Sequence, residues 1–193
     1  SLKKELKIQG IQLIHAHYGL SGLLANLQRK IPVITTFHGS DINDKRVRFL
    51  SKLAMRLSVY NIFISNNLAK LAHARKKFAV ISCGVDLEAF FPLAKSDSRR
   101  KLNFDLDEKI ALFSGSFNNK IKNSALAFDA IALLGGNIRL IELKGYSREE
   151  VNLLLNACDV ALFTSLSKGS PQFIKEAMAC NCPIVATNVG DIS

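Results

Sequence analysis

Short runs of β-branched and apolar residues alternate with segments of helical periodicity along most of this chain. The runs predict strands at residues 11–15, 33–37, 62–65, 80–82, 110–114, 138–143, 160–163 and 184–186. The segments between them predict helices at residues 22–28, 44–57, 66–74, 123–134, 147–157 and 171–179. This alternation is typical of β-α-β units, in which helices join parallel strands. We therefore predict an α/β protein with parallel sheets.

The domain organisation follows from a change in composition near the middle of the chain. Residues 91–105 are rich in Pro, Lys, Ser, Asp and Arg and poor in apolar residues, which predicts a surface connection between two α/β halves. We place the boundary near Lys95, which gives domains of residues 1–94 and 95–193. A doubly wound sheet binds ligands beyond the carboxyl ends of its strands, so the residues that follow strands are the candidates for a site.

The charge of the chain points to an anionic partner. Its 26 Lys and Arg against 16 Asp and Glu give a net charge of +10, which suits nucleic acid, anionic lipid or a phosphorylated small molecule. Nucleic acid is disfavoured, because Trp is absent, no helix-turn-helix, zinc or RNP-type motif is present, and the basic residues are not interleaved with aromatic ones. We expect no nucleic-acid partner.

Cysteine usage and hydropathy suggest a reducing compartment. Cys83, Cys158, Cys180 and Cys182 lie in apolar stretches without a C-x-x-C pair, which predicts buried thiols rather than a disulfide framework or a zinc site. No apolar run approaches the ~18 residues of a membrane span, and residues 1–5 lack the apolar core of a secretory signal. We expect a cytoplasmic protein, with peripheral attachment to the inner face of the cell membrane as a further option.

Histidines mark the ends of the first two predicted strands. His38-Gly39-Ser40-Asp41 follows the strand that ends at Phe37, and a histidine beside a flexible glycine can approach a ligand closely. The alternative is a turn whose Asp41 caps the helix that begins near Asp44. His15 and His17 share one face of their strand, but without a third ligand we predict contacts with neighbouring loops rather than a metal site.

Two strand-to-helix connections in the second half have the character of anion sites. The strand at 110–114 runs into Gly115, a lysine-bearing loop that includes Lys122, and then a helix. A glycine turn, a helix N-terminus and a lysine together favour phosphate, although neither G-x-x-x-x-G-K-[ST] nor G-x-G-x-x-G is present. Surface lysines on an ordinary loop are the alternative.

The second connection is the segment of residues 164–179. It passes from a strand through a small polar loop with Gly169 to Pro171 at a first helical turn. Glu176 follows within the helix, where its carboxylate could accept hydrogen bonds from the hydroxyls of a ribose or sugar, each worth ~1.5–3 kcal/mol. The alternative for Glu176 is a solvated helix residue.

Jointly, these motifs resemble the retaining glycosyltransferases of family 4. The resemblance rests on His15-Ala16-His17-Tyr18, residues 35–42, Cys83-Gly84-Val85-Asp86 with Phe90 and Pro92, residues 115–122, residues 168–179 and residues 182–186. It implies two Rossmann-like domains of the GT-B type. It also implies transfer of a sugar from a UDP- or GDP-type donor to a glycan or lipid-linked acceptor, with retained anomeric configuration, in cell-surface polysaccharide synthesis. No metal or other cofactor is expected.

The resemblance assigns roles to individual residues. Lys122 matches the lysine that holds the donor diphosphate, and Glu176 matches the glutamate that holds the ribose. His38 matches the histidine beside the reaction centre. The remaining matches are Gly115, Gly169, Ser170 and Pro171 on the donor side and His17 and Asp41 on the acceptor side.

Three departures from the family pattern favour an alternative function. Lys168 stands where the family has a glutamate near the donor sugar, and Ser116 stands where it commonly has a phosphate-binding arginine. The chain also begins at what resembles the middle of the first domain and stops shortly after the donor motif, so we expect two incomplete halves. The alternative is a catalytically impaired donor-binding or scaffold subunit, and a nucleotide-sugar epimerase on a related fold is a third candidate.

The predicted helix at residues 44–57 carries much of the positive charge. One of its sides holds Lys45, Arg48, Lys52 and Arg56, and another holds Val47, Leu50, Ala54 and Leu57. A basic amphipathic helix can lie on anionic lipid, and this would suit a lipid-linked acceptor. The alternative is a helix that packs on the core and has a solvated face.

Overall fold

The computed structural model describes residues 10–166, 171–189 and 192. The chain divides into two compact units, Ser1–Cys83 and Gly84–Ser193. Each described unit is built on a parallel sheet with helices between consecutive strands. The predicted fold class, α/β with parallel sheets in two Rossmann-like halves, is confirmed.

In unit 1 the strands follow their order in the chain. Its elements are β1 (Ile14–His17), α1 (Gly19–Asn26), β2 (Val33–Phe37), α2 (Ser40–Asn43), α3 (Lys45–Leu57), β3 (Tyr60–Phe63), α4 (Asn66–Ala72) and β4 (Phe78–Val80). The described sheet has the order β1-β2-β3-β4, and its core is centred on Phe37, Phe63 and Ile42. His17 is in register with Thr36, so β1 and β2 end at the same edge of the sheet.

In unit 2 the order of the strands in the sheet differs from their order in the chain. Its elements are α5 (Lys95–Lys101), β5 (Lys109–Phe113), a 3₁₀ turn (Lys120–Lys122), α6 (Ser124–Leu134), β6 (Ile138–Glu142), α7 (Arg148–Ala157), β7 (Val160–Phe163), α8 (Gln172–Ala179) and β8 (Ile184–Ala186). The described sheet has the order β6-β5-β7-β8. The chain therefore leaves β5 on one side towards β6 and returns on the other side at β7. Such a switch point is where open α/β sheets bind ligands.

The division between the units precedes the predicted boundary near Lys95. Phe90 is buried in the core of unit 2, and the backbone N–H of Leu93 donates to Asn156 Oδ1 at 2.7 Å. The polar segment that follows contains a helix, α5, which the sequence analysis did not predict. Arg99 on that helix is only 3% exposed. Its buried guanidinium is stabilised by hydrogen bonds to the carbonyl of Ala157 and the carboxylate of Asp159.

Close packing of α1 against α3 leaves no room for a side chain at Gly19. A Cβ atom at this position would lie 2.1 Å from Ser51 Oγ and 2.8 Å from Ser51 Cα. We expect Gly19→Ala to force the two helices apart and to lower the free energy of unfolding of unit 1 by about 1–3 kcal/mol. Urea denaturation measures this change. Ser21→Ala, at an exposed position of the same helix, is the control and should shift it by less than about 0.5 kcal/mol.

Candidate functional sites

The carboxylate of Asp41 organises the loop that follows β2. Asp41 is 5% exposed, and it accepts hydrogen bonds from the backbone N–H groups of His38 (3.1 Å), Gly39 (2.9 Å) and Gly19 (3.1 Å). Gly39 has φ 119°, a conformation that residues with a side chain rarely adopt. Asp41 thus fixes both the backbone of His38 and the first residue of α1.

The helix that follows this loop is capped by another aspartate. Asp44 is the N-cap of α3, and its side chain accepts from the backbone N–H of Arg46 at 2.9 Å. The alternative in which Asp41 caps this helix is therefore wrong.

The histidines predicted at the strand ends lie together. His17 Nδ1 and His38 Nε2 are 2.8 Å apart, and the rings of His15 and His17 are 4.6 Å apart between centroids. His15 Nε2 is also 2.8 Å from Thr36 Oγ1, so His15 contacts strand β2 rather than a loop, whereas His17 contacts His38 in the loop after β2. Within the described residues no group of three or more His, Cys, Asp or Glu side chains could hold a metal ion.

Burial and the neighbouring histidines favour the neutral form of His38. Burial lowers the pKa of His38, and His17 and His15 lower it further, although Asp41 acts in the opposite direction. A neutral His38 that donates or accepts one hydrogen bond with His17 keeps its other ring nitrogen for a ligand.

This lowered pKa makes the stability of unit 1 depend on pH. His38 binds a proton more readily in the unfolded chain, where its pKa is about 6.5. We therefore expect the free energy of unfolding to fall as the pH drops through about 6.5 and on through the lower pKa of the folded state. Denaturation curves recorded across this range measure the loss. His38→Gln should flatten this part of the profile, and an equally steep profile in the variant would contradict the assignment.

In unit 2, the loop after β5 is anchored to both neighbouring strands. The backbone N–H of Phe117 donates to Glu142 Oε2 at 2.7 Å, at the end of β6. Thr164 Oγ1, just beyond β7, lies 2.8 Å from the carbonyl oxygen of Lys122 and 2.9 Å from that of Asn123. These contacts hold the loop at the switch point. Glu142 was not predicted and Thr164 was predicted only as the first residue of the segment 164–179, although each is the polar residue at or just after the end of a strand beside β5.

The structure brings Lys122 and Gly115 together. The half-buried side chain of Lys122 lies over Gly115, where a Cβ atom would be 3.1 Å from Lys122 Cε. Lys122 Nζ is 5.3 Å from the centroid of the Phe163 ring. Ser116 lies in the same loop, where its carbonyl accepts from the N–H of Asn119. The arrangement fixes a cation at the carboxyl ends of β5 and β7.

The second anion-site candidate is the start of α8. Pro171 is buried and forms the N-cap, and within the described residues no side chain caps the helix. Glu176 is half-buried on this helix, one turn after Gln172, and burial raises the pKa of its carboxyl group against an opposing effect of Arg148. The other predicted residues of this loop, Lys168, Gly169 and Ser170, lie outside the described residues.

The basic helix α3 is only partly as predicted. Lys45 and Arg56 are exposed and Lys52 is half-buried, but Arg48 donates to the carbonyl oxygens of Ile42 and Asn43 and so braces the preceding turn. Phe49 is 75% exposed. Leu50 and Leu57 are exposed as well, because Ser51 and Ala54 form the buried side of the helix. In the part of the chain that the structure describes, no helix is long and apolar enough to span a membrane.

Comparison with known protein families finds similarity to glycosyltransferases in both halves of the chain. Residues 1–89 match the model of Glycosyltransferase Family 4, and residues 128–193 match the model of Glycosyl transferases group 1. The chain has the GT-B fold and is similar in sequence to glycosyltransferases. It is 29% identical to an uncharacterized glycosyltransferase of Methanocaldococcus jannaschii, over 98% of this chain and 60% of that protein. It is also 25% identical to a putative teichuronic acid biosynthesis glycosyltransferase of Bacillus subtilis, over 94% of this chain and 54% of that protein.

Solved structures of GT-B proteins share this fold. Sucrose-phosphate synthase from Thermosynechococcus elongatus matches with a TM-score of 0.81 and 21% identity, over 100% of this chain and 60% of that one. Anabaena HepE in complex with UDP matches with a TM-score of 0.78 and 18% identity, over 98% and 63%. The chain thus spans between 54% and 63% of the length of these four proteins.

Proposed function

We propose that this chain acts as a retaining glycosyltransferase, which moves a sugar from a UDP- or GDP-type donor to a glycan or lipid-linked acceptor in cell-surface polysaccharide synthesis. The observation that carries the proposal is the anchored loop at the switch point of unit 2, with Lys122 at its end. The similarity to a putative teichuronic acid biosynthesis enzyme supports the polysaccharide role.

The donor site is assigned to the carboxyl ends of β5 and β7. Lys122 supplies a positive charge there, and the start of α6, which no side chain caps within the described residues, supplies backbone N–H groups. Together these groups suit a diphosphate. Glu176 then holds the ribose hydroxyls, and Pro171 begins the helix that carries it. A related fold, that of Anabaena HepE, has been solved with UDP and with UDP-glucose.

The reaction-side role is assigned to the histidine pair of unit 1. A neutral His38, held in place by Asp41 and His17, can accept a hydrogen bond from a sugar hydroxyl without a competing positive charge. Asp41 acts through His38, because its two oxygens are engaged by backbone N–H groups.

Calorimetric titration with UDP, GDP and their common sugar conjugates tests the donor site. We expect one nucleotide to bind, and Glu176→Ala to weaken that binding about tenfold or more, because a charged hydrogen bond is lost. Glu149→Ala, which removes an exposed glutamate from the first turn of α7, should leave the affinity unchanged. If no nucleotide binds to a folded chain, the proposal is wrong.

The impaired-subunit alternative is distinguished by turnover. Lys168 replaces an acidic residue of the family pattern, and Ser116 replaces an arginine. A wild-type chain that binds the donor without transferring sugar, while Lys168→Glu restores transfer, would favour the alternative. Transfer by the wild type would exclude it.

We further propose peripheral attachment to an anionic membrane surface through α3. Exposed Phe49 lies among Lys45, Lys52 and Arg56, and each such cation near the surface adds about 1 kcal/mol of attraction. Co-sedimentation with vesicles containing phosphatidylglycerol should exceed that with phosphatidylcholine alone. Lys45→Glu with Arg56→Glu should abolish the difference, and equal binding to both vesicles would contradict the proposal.

A further inference from the structure

Two buried thiols lie side by side where β7 and β8 begin. Cys158 follows α7 and Cys182 precedes β8, with their sulfur atoms 3.3 Å apart. They are 5% and 7% exposed. Since Ala161 of β7 is in register with Ile184 of β8, the sheet itself holds the two cysteines next to each other. A disulfide is about 2.05 Å long, so the sulfur atoms have little further to move.

One thiol of the pair is activated by the other. The two Sγ atoms are within hydrogen-bonding distance of each other, and the contact with Cys158 lowers the pKa of Cys182, an effect that the N–H of Ala161 supports and burial opposes. The thiolate is the form of cysteine that attacks an oxidant. Cys182 is 7% exposed, and its chain neighbours Asn181 and Pro183 are both exposed.

We propose that Cys158 and Cys182 form an intramolecular disulfide when a peroxide oxidises the protein. The Cys182 thiolate attacks hydrogen peroxide, an S–O bond forms as the O–O bond breaks, and the departing hydroxide takes up a proton to become water. Cys158 then attacks the sulfenic sulfur of Cys182, the S–S bond forms, and the oxygen leaves as a second water. Two thiols and one peroxide thus give one disulfide and two waters.

The geometry selects this pair over the remaining cysteines. Cys180 Sγ lies 3.2 Å from Asn152 Oδ1, and burial raises its pKa to about 11, so it is a poor nucleophile. Cys83 lies in unit 1. The disulfide would close the loop of residues 158–182, which contains β7 and α8, and should therefore stabilise unit 2 against unfolding.

Peptide mapping after oxidation tests the proposal. The protein is treated with hydrogen peroxide, unfolded in N-ethylmaleimide and digested with trypsin, which cleaves after Arg148, Lys168 and Lys175. We expect peptide 149–168 to be linked to peptide 176–193, with a mass about 2 Da below the sum of peptide 149–168 and peptide 176–193 alkylated at Cys180. Because Cys180 and Cys182 share one peptide, Cys180→Ser must retain the link, and Cys182→Ser and Cys158→Ser must lose it.

Thermal unfolding provides the second readout. Oxidation should raise the unfolding midpoint of the wild type and of Cys180→Ser by several degrees, and it should leave that of Cys158→Ser unchanged. The proposal is overturned if both sulfurs stay reduced at peroxide concentrations that oxidise Cys83, or if the link persists in Cys182→Ser. The wild type and Cys180→Ser decide the matter even if another variant fails to fold.

Discussion

Replacing Asp41 by alanine is expected to lower the free energy of unfolding of unit 1 by about 3–5 kcal/mol. The substitution removes a buried carboxylate that accepts hydrogen bonds from the N–H groups of Gly19, His38 and Gly39. Those groups would be left without partners in a buried position, and each hydrogen bond to a charged group contributes ~1.5–3 kcal/mol. Urea denaturation followed by circular dichroism measures the loss.

Two further variants separate the charge of Asp41 from a general effect of removing an aspartate. Asp41→Asn keeps one accepting oxygen but turns an NH₂ group towards another N–H donor, so an intermediate loss is expected. Asp44→Ala removes an exposed cap three residues away and should cost about 1 kcal/mol. If Asp41→Ala costs no more than Asp44→Ala, the carboxylate does not have the structural role described above.

Replacing Lys122 by alanine is expected to weaken binding of a nucleoside diphosphate about 10- to 100-fold, if the proposed donor site is correct. The estimate follows from the loss of one charge-assisted contact to phosphate, worth ~1.5–3 kcal/mol. Thr164 and Glu142 hold the loop through backbone groups, so its fold should survive the substitution. Calorimetric titration of the variant with the nucleotide that the wild type binds measures the change.

Lys120 provides a matched control for this prediction. It lies two residues before Lys122 in the same 3₁₀ turn, and it is exposed. Lys120→Ala removes the same charge without the contact to Gly115, so its effect should be less than about threefold, as expected for a screened surface charge. Similar losses in both variants would mean that net charge, rather than a positioned cation, attracts the nucleotide.

The helices and strands predicted best are those whose own local sequence pattern determines where they begin and end. β2, β7 and β8 have the predicted bounds, and the helix predicted from residue 147 does start there, where Ser147 and Glu150 form a capping box for α7. Helix α1 begins at Gly19 rather than at residue 22, and the packing of Gly19 against Ser51 of α3 is a long-range contact that local propensity does not reveal. Helix α5 was missed, because its buried residues are Ser98 and Arg99, which give no apolar period.

The residues of the candidate sites were likewise predicted only where local sequence order decides their position. Gly115 and Lys122 were predicted from the order strand, glycine, lysine and helix, which is local information. The pairing of His17 with His38 depends on strand register across 21 positions, and the contact of Thr164 with Lys122 spans 42. Long-range contacts of this kind depend on the order of the strands in the sheet. The local sequence around each residue does not specify this order.

The carboxylate of Asp41 couples α1 to His38, because it accepts hydrogen bonds from the backbone N–H groups of both Gly19 and His38. Gly19 is pressed against Ser51 of α3 at one side and is held by the carboxylate that also holds His38 at the other. A displacement of α3 would therefore be transmitted through α1 and Asp41 to the backbone of His38. A partner that binds to the exposed side of α3 would therefore change the position of His38.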